Sequence, residues 1–195
     1  MDQWLALVAF SIVSSGSPGP NNVLLWASGA AFGFRPTMPH ILGTALGIGA
    51  LALIAAAGLA AIVNAVPMLA LVMKLVASLY LLYLAWQVAG VHAIERGELG
   101  HPMSVAQAAA FQAINPKGWV FALGAIAAFR PADLPVVPGS LLVAGTMTAI
   151  VLPTAALWAA AGGWLGSLLN GERSRRGVSL LLAALLVTSV AAIWR

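Results

Sequence analysis

The sequence predicts an all-α integral membrane protein with six transmembrane helices in two inverted three-helix repeats, the first and fourth helices broken at proline near the bilayer midplane. Three observations predict it. Of 195 residues, 62% are hydrophobic and only 7% charged, whereas a water-soluble domain is about one quarter charged because its surface must stay wet. Six apolar stretches follow one another, each near the ~20 residues a helix needs to cross hydrocarbon. Two of these stretches, at corresponding positions of two halves, contain proline next to asparagine. The same composition excludes a disordered chain, which combines low hydrophobicity with high charge.

The first stretch runs from about residue 4 past residue 32 and is interrupted by Ser17-Pro18-Gly19-Pro20-Asn21-Asn22. A cleaved signal peptide starts with positive charge. This one starts with Asp2 and no Lys or Arg, so it is expected to stay as a span. The second span is expected over 41–63, ended by Asn64 and Pro67, and the third over 68–91. Residues 92–104, with Glu95, Arg96, Glu98 and Pro102, make the longest polar connection. The fourth span covers 105–129, the fifth 139–164 with Pro153 inside it, and the sixth 178–194. The last has seventeen residues, only ~25 Å of helix, so five spans is the alternative count. The chain therefore reads as one membrane domain, 1–195, with 1–91 and 105–195 as the repeats and 92–104 as their connection.

Charge sets the orientation. Loops on one side would hold Arg35, Arg96, Arg173, Arg175 and Arg176, and those on the other only Arg130 and Arg195. The richer side is cytoplasmic by the positive-inside rule, which puts both termini outside. Trp4, Trp86, Trp164 and Trp194 lie near span ends, as interfacial anchors do. The net charge of +4 forms no stripe beyond Arg173, Arg175 and Arg176, which read as a cytoplasmic loop signal, so no nucleic-acid partner is expected. With no cysteine there is no disulfide or thiol chemistry, and His40, His92 and His101 lack metal-ligand spacing and read as solvated loop residues. No metal or cofactor is expected.

The breaks carry the chemistry. Arg35 follows Pro20 by fifteen residues and Arg130 follows Pro116 by fourteen, which marks the two halves as repeats. An odd number of spans per half inverts the second relative to the first. Proline lacks an N–H and crowds the carbonyl four residues back, so Pro18 and Pro20 free the carbonyls of Ser14 and Gly16, and Pro116 that of Gln112. Unpaired backbone facing lipid costs several kcal/mol per group, so such breaks face protein or water. The N-terminus of a half-helix then offers N–H groups to an anion, here from Asn21, Asn22 and Val23. Kinking for packing alone is the plainer reading of any single proline.

Asn21, Asn22 and Asn115 can hold an ammonium and a carboxylate without a fixed charge. Lys117 lies near the centre of the fourth span, where a charge costs ~3 kcal/mol even on the insertion scale, so it is expected to line a wet cavity. Its roles are a magnet for a substrate carboxylate, a proton carrier, or a structural cation on the carbonyls of the opposite break. Lys74, about seven residues inside the third span, reads as snorkelling or as a coupling group. Gln112, Trp26 and Trp119 stand within two turns of the breaks and are candidate walls, with lipid-facing positions an equal reading for the tryptophans. Gly29/Gly33, Gly43/Gly47 and Gly162/Gly166 are small-xxx-small pairs for close helix packing or for sliding between repeats.

At Ser17-Pro18-Gly19-Pro20-Asn21-Asn22, Asn115-Pro116-Lys117 and Tyr80-Leu81-Leu82-Tyr83-Leu84, with Lys74 and the first two glycine pairs, the chain resembles the LysE/RhtB family of amino-acid exporters over nearly its whole length. The resemblance implies a multi-pass secondary exporter of the bacterial inner membrane, energised by the proton gradient and compatible with a homodimer. One departure bears on cargo. Many relatives have aspartate where this chain has Ile48, and no Asp or Glu lies inside any span. That absence disfavours lysine or arginine as cargo and leaves the coupling residue open. The expected substrate is a small neutral amino acid or similar zwitterion, held by Pro18, Gly19, Pro20, Asn21, Asn22, Gln112, Asn115, Pro116 and Lys117. An integral-membrane scaffold or a membrane enzyme is the alternative; an enzyme would need an acid-base constellation, and no carboxylate pair or His lies in an expected span.

Overall fold

Proline, glycine and one capping box set where the helices begin and end. The computed structural model describes residues 2–59, 67–89, 101–168 and 172–194. Val63, Asn64, Val91, His92, Glu95, Arg96, Glu98 and Arg195 lie outside them, and for Tyr80, Arg173 and Arg175 only the backbone is described. Among the described residues all regular structure is helical: α1 (Asp2–Gly16), α2 (Pro20–Phe32), α3 (Met38–Ile54), α4 (Pro67–Ala89), α5 (Val105–Ile114), α6 (Pro116–Phe129), α7 (Val136–Leu168) and α8 (Glu172–Ile193). Proline sits in the first turn of α2, α3 and α6, where its missing N–H has no helical partner to lose. At α5, Ser104 Oγ accepts from Gln107 N at 3.2 Å while Ser104 N donates to Gln107 Oε1 at 2.9 Å. This reciprocal pair satisfies two otherwise orphaned donors.

Two helical stretches among the described residues are long and apolar enough to cross a membrane, Met38–Gly58 and Val136–Ser167. The first is α3 with a wider π-type turn, Ala55–Leu59, in which Gly58 has φ 86°. This left-handed turn lies ahead of the expected stop at Asn64. Gly33 closes α2 at φ 87°, ψ 171°, another positive-φ conformation that glycine enters without the Cβ penalty. Nothing stands within 4 Å of a Cβ built there, so Gly33 ends a helix and is not the packing surface its pairing with Gly29 suggests.

Three expectations change. Helix α7 runs 33 residues, longer than 139–164, and passes through Pro153 without ending. Helix α8 starts at Glu172, so Arg173, Arg175 and Arg176 belong to its first turns and not to a loop. Glu and Arg are good helix formers and prolong an apolar helix past its hydrophobic edge, giving 22 residues in place of seventeen. His40 is not in a solvated loop: α3 begins at Met38, which turns the imidazole inward at 1% exposure. His101 is exposed, with Nδ1 3.1 Å from the Pro102 carbonyl oxygen.

Helices from the two ends of the chain interlock. Helix α7 packs along α1, α2 and α3, α3 also packs on α5 and α6, and α4 pairs with α8. Glycine sets the closest crossings. A Cβ on Gly29 would overlap the Ala159 carbonyl oxygen, and one on Gly162 that of Trp26. A Cβ on Gly43 would overlap the Val105 carbonyl oxygen, and one on Gly47 would stand 2.7 Å from Gln112 Cγ. The first two make the α2–α7 crossing, the others the α3–α5 crossing. Leu7, Ile48, Leu51, Phe121, Met147 and Val151 join α1, α3, α6 and α7 in one apolar cluster. Val23, Leu24, Leu81, Phe111 and Leu186 join α2, α4, α5 and α8 in another. The outside is apolar too, with Leu5, Val13, Val120 and Leu157 each more than 65% exposed. A surface of this kind suits lipid rather than water.

Candidate functional site

Both interrupted helices restart in the same way. Residues 17–19 carry the chain from α1 to α2, with Gly19 extended at φ −177°, ψ 172°, ahead of Pro20. Asn115 alone joins α5 to α6, extended at φ −84°, ψ 104°, ahead of Pro116. Neither cap residue bonds the first turn through a side chain. Val23 N already reaches Gly19 O at 3.0 Å, as Trp119 N reaches Asn115 O at 3.2 Å. The N–H groups without a helical partner are therefore those of Asn21 and Asn22, and of Lys117 and Gly118. Val23 drops out of the expected donor set because the fourth residue past the cap pairs with the cap's carbonyl.

Two of the three carbonyls left by the prolines, those of Ser14 and Gln112, are taken up locally. Ser17 Oγ donates to Ser14 O at 3.0 Å, and Asn115 N to Gln112 O at 3.1 Å. Asn22 Nδ2 donates to Ser15 O at 2.7 Å and Ser17 O at 2.8 Å, which folds the first break back on itself. Lys117 then crosses between the breaks, with Nζ 2.5 Å from Ser17 O and 3.3 Å from Pro18 O. A carbonyl oxygen with two lone pairs can accept both Asn22 and Lys117.

A second bridge lies deeper. Asn21 Oδ1 accepts from Gln112 Nε2 at 2.8 Å and Thr44 Oγ1 at 3.1 Å, while Asn115 Nδ2 donates to Gln112 Oε1 at 2.9 Å. Gln112 is 1% and Asn115 4% exposed. Asn115 Oδ1 is buried with no hydrogen-bond partner. On the far wall Thr154 Oγ1 donates to Ser15 Oγ at 2.9 Å, tying α7 to α1.

These groups surround a cavity of about 400 Å³, its mouth included. Of the sequence-derived candidates, Gly19, Asn21, Asn22, Gln112, Asn115 and Lys117 line it. Pro18, Pro20 and Pro116 shape the breaks without lining it. Trp119 turns its indole N–H to Ala113 O at 2.8 Å and packs on the Phe121 cluster, and Trp26 packs on the Val23 cluster. Neither tryptophan reaches the cavity. Lys74 lies apart, with Nζ 5.8 Å from the Trp194 ring centre, where a cation meets the negative face of the indole. Trp194 Nε1 in turn donates to Ser78 Oγ at 2.9 Å.

The cavity adds residues that the sequence does not single out, Ser15, Thr44, Phe121, Val151, Thr154 and Ala155, and it also takes in Ser14 and Ile48, which the sequence marks for other reasons. A signal exists for two of them. Ser15 stands two residues ahead of the first break, and Thr154 follows Pro153 directly. The lining has one cation, Lys117, and no carboxylate. Such a chamber can receive an anion at Lys117 and the first turns of α2 and α6, and a donor at Asn115 Oδ1.

A family model described as LysE type translocator matches residues 12–192. The cysteine/O-acetylserine efflux protein of Salmonella typhimurium (strain LT2) is 25% identical over 124 residues, and that of Escherichia coli (strain K12) 26% over 124 residues. Each match covers 64% of this chain and 64% of the relative, so the chain spans just under two thirds of the length of these curated relatives. No solved structure matches the chain.

Proposed function

The chain belongs to the LysE type translocator family, and from that premise we propose that it exports a small neutral amino acid or similar zwitterion from a bacterial cell by alternating access, driven by the proton gradient across the inner membrane. In this reading α1–α2, α3 and α4 form one three-span half, and α5–α6, α7 and α8 its inverted counterpart, in one membrane domain. The breaks lie near the midplane and both termini outside. At ~1.5 Å per residue the 22 residues of α8 reach about 33 Å, with Arg173, Arg175 and Arg176 in its first turns at the cytoplasmic interface and the apolar remainder as the sixth span.

The observation that carries the proposal is the chamber where the two breaks meet, with polar groups from both breaks facing an apolar wall of Ile48, Phe121, Val151 and Ala155, and holding one cation without a carboxylate. Lys117 and the free N–H groups of Asn21 and Asn22 take the substrate carboxylate, and Asn115 Oδ1 takes its ammonium. Pro18, Gly19, Pro20 and Pro116 hold the backbone that presents them. A cargo with a second positive charge ~5 Å from Lys117 meets about 3 kcal/mol of repulsion at an effective dielectric near 20, roughly a hundredfold in affinity. Neutral amino acids are therefore favoured over lysine and arginine. The cysteine and O-acetylserine in the relatives' names are of this neutral kind.

The test is transport by the purified chain in phospholipid vesicles, with labelled O-acetylserine, serine, alanine, cysteine under reductant, and lysine. Expected are exchange of one or more neutral substrates, accumulation on imposing a pH gradient, and at least a tenfold preference over lysine. Vesicles that exchange none of these, or that carry lysine equally well, contradict the proposal.

A further inference from the structure

We propose that His40 carries the proton that drives export, along a buried polar stripe on α3 that leads to the chamber; this rests on the export reading above. Thr37, His40 and Thr44 stand three and four residues apart, a spacing that puts them on one face of a helix. All three are buried, at 0%, 1% and 3% exposure. The stripe is anchored at both ends. Thr37 Oγ1 lies 2.9 Å from Ser28 Oγ and donates to Gly33 O at 2.9 Å, at the end of α2. Thr44 Oγ1 donates to Asn21 Oδ1 at 3.1 Å, inside the chamber.

Between these anchors, the two ring nitrogens of His40 are buried without a hydrogen-bond partner. Packing alone does not select such a residue, since leucine fills similar space and leaves no polar atom unpaired. An imidazole can do what leucine cannot: it accepts a proton on one ring nitrogen and releases one from the other. One neutral imidazole becomes imidazolium and returns to neutral, so no other reactant is needed.

The surroundings leave few alternatives. Helices α2, α5 and α7 and the turn after α3 pack on α3 and contain no charged or titratable side chain. Helix α6 contributes Lys117, whose ammonium donates to the carbonyls of Ser17 and Pro18. Arg35 before α3 and His101 before α5 are both exposed. His40 is thus the buried titratable group of the stripe, roughly 6 Å along the helix from Thr44.

Two assays separate the claims: exchange of labelled O-acetylserine at equal pH, and its accumulation driven by a pH gradient, each for wild type, His40→Gln and His40→Leu in vesicles. In wild type both proceed. In either variant that remains monodisperse in detergent, exchange stays within about threefold while pH-driven accumulation falls at least tenfold. Retained accumulation overturns the proposal, and so does parallel loss of both activities in the two variants, which marks His40 as structural. Wild type that exchanges without responding to pH overturns the His40 proposal and leaves the exporter standing. Wild type that does neither defeats the export reading itself.

Discussion

Gly162→Ala is expected to lower the unfolding midpoint of the detergent-solubilised protein by several degrees. The added Cβ would overlap the Trp26 carbonyl oxygen, and the neighbouring Trp26 carbonyl carbon lies only 2.8 Å away. Both obstacles are helix backbone and cannot swing aside as a side chain does, so α2 and α7 must separate along the crossing that also holds Gly29 and Gly166. Overpacking of a core costs ~1–3 kcal/mol where side chains can adjust, and a rigid backbone puts this case at or above the top of that range. Gly145→Ala is the matched control. It lies on the same helix with nothing within 4 Å of its added Cβ, and exchanging glycine for alanine inside a helix is worth ~1 kcal/mol in favour of alanine. A melting series in which the two variants behave alike would show that α2 and α7 do not cross in close backbone contact.

Lys117→Ala is expected to raise the half-saturating concentration of O-acetylserine about 10- to 100-fold. A charge-assisted hydrogen bond contributes ~1.5–3 kcal/mol, and each 1.4 kcal/mol is a factor of about ten. Lys117→Arg keeps the charge and should retain part of the affinity. Gly19→Ala separates placement from charge. Its Cβ would stand 2.7 Å from Lys117 Cδ and 3.1 Å from Nζ. The flexible lysine is then displaced from the carbonyls of Ser17 and Pro18 while the amine itself is kept, and an intermediate loss of affinity is expected. If Lys117→Ala lowers only the unfolding midpoint and leaves half-saturation unchanged, the lysine is a structural cation and has no part in binding.

Much of this architecture is legible in the sequence. Pro20 and Pro116 mark helix restarts because the ring cannot continue the hydrogen-bond ladder, and Asn21, Asn22, Asn115 and Lys117 stand out as polar groups in apolar surroundings. Which faces meet is not legible. A helix that is apolar all round has no polar side to give its rotation, so nothing in the sequence assigns Val151 on α7 or Thr44 on α3 to the chamber. Trp26 and Trp119 are close to the breaks along the chain but on faces that pack elsewhere. His40 misleads for a different reason. Next to Arg35, Pro36 and Pro39 it looks like loop, yet proline in a first turn starts a helix as readily as it ends one. Likewise Glu172 and Arg173 look like solvent-exposed connection until their helix propensity is weighed against their charge.

The central claim, that the chamber between the two breaks binds the substrate, is tested most directly by single cysteines, since the natural chain has none. Thr154→Cys would place a thiol in the chamber wall beside Ser15, and Leu157→Cys one on the outer apolar face three residues on. Labelling by a water-soluble maleimide in vesicles should modify Thr154→Cys and be slowed at least fivefold by saturating O-acetylserine, with Leu157→Cys indifferent to it. Labelling of Thr154→Cys at the same rate with and without substrate, in vesicles that do transport it, would place the binding site elsewhere.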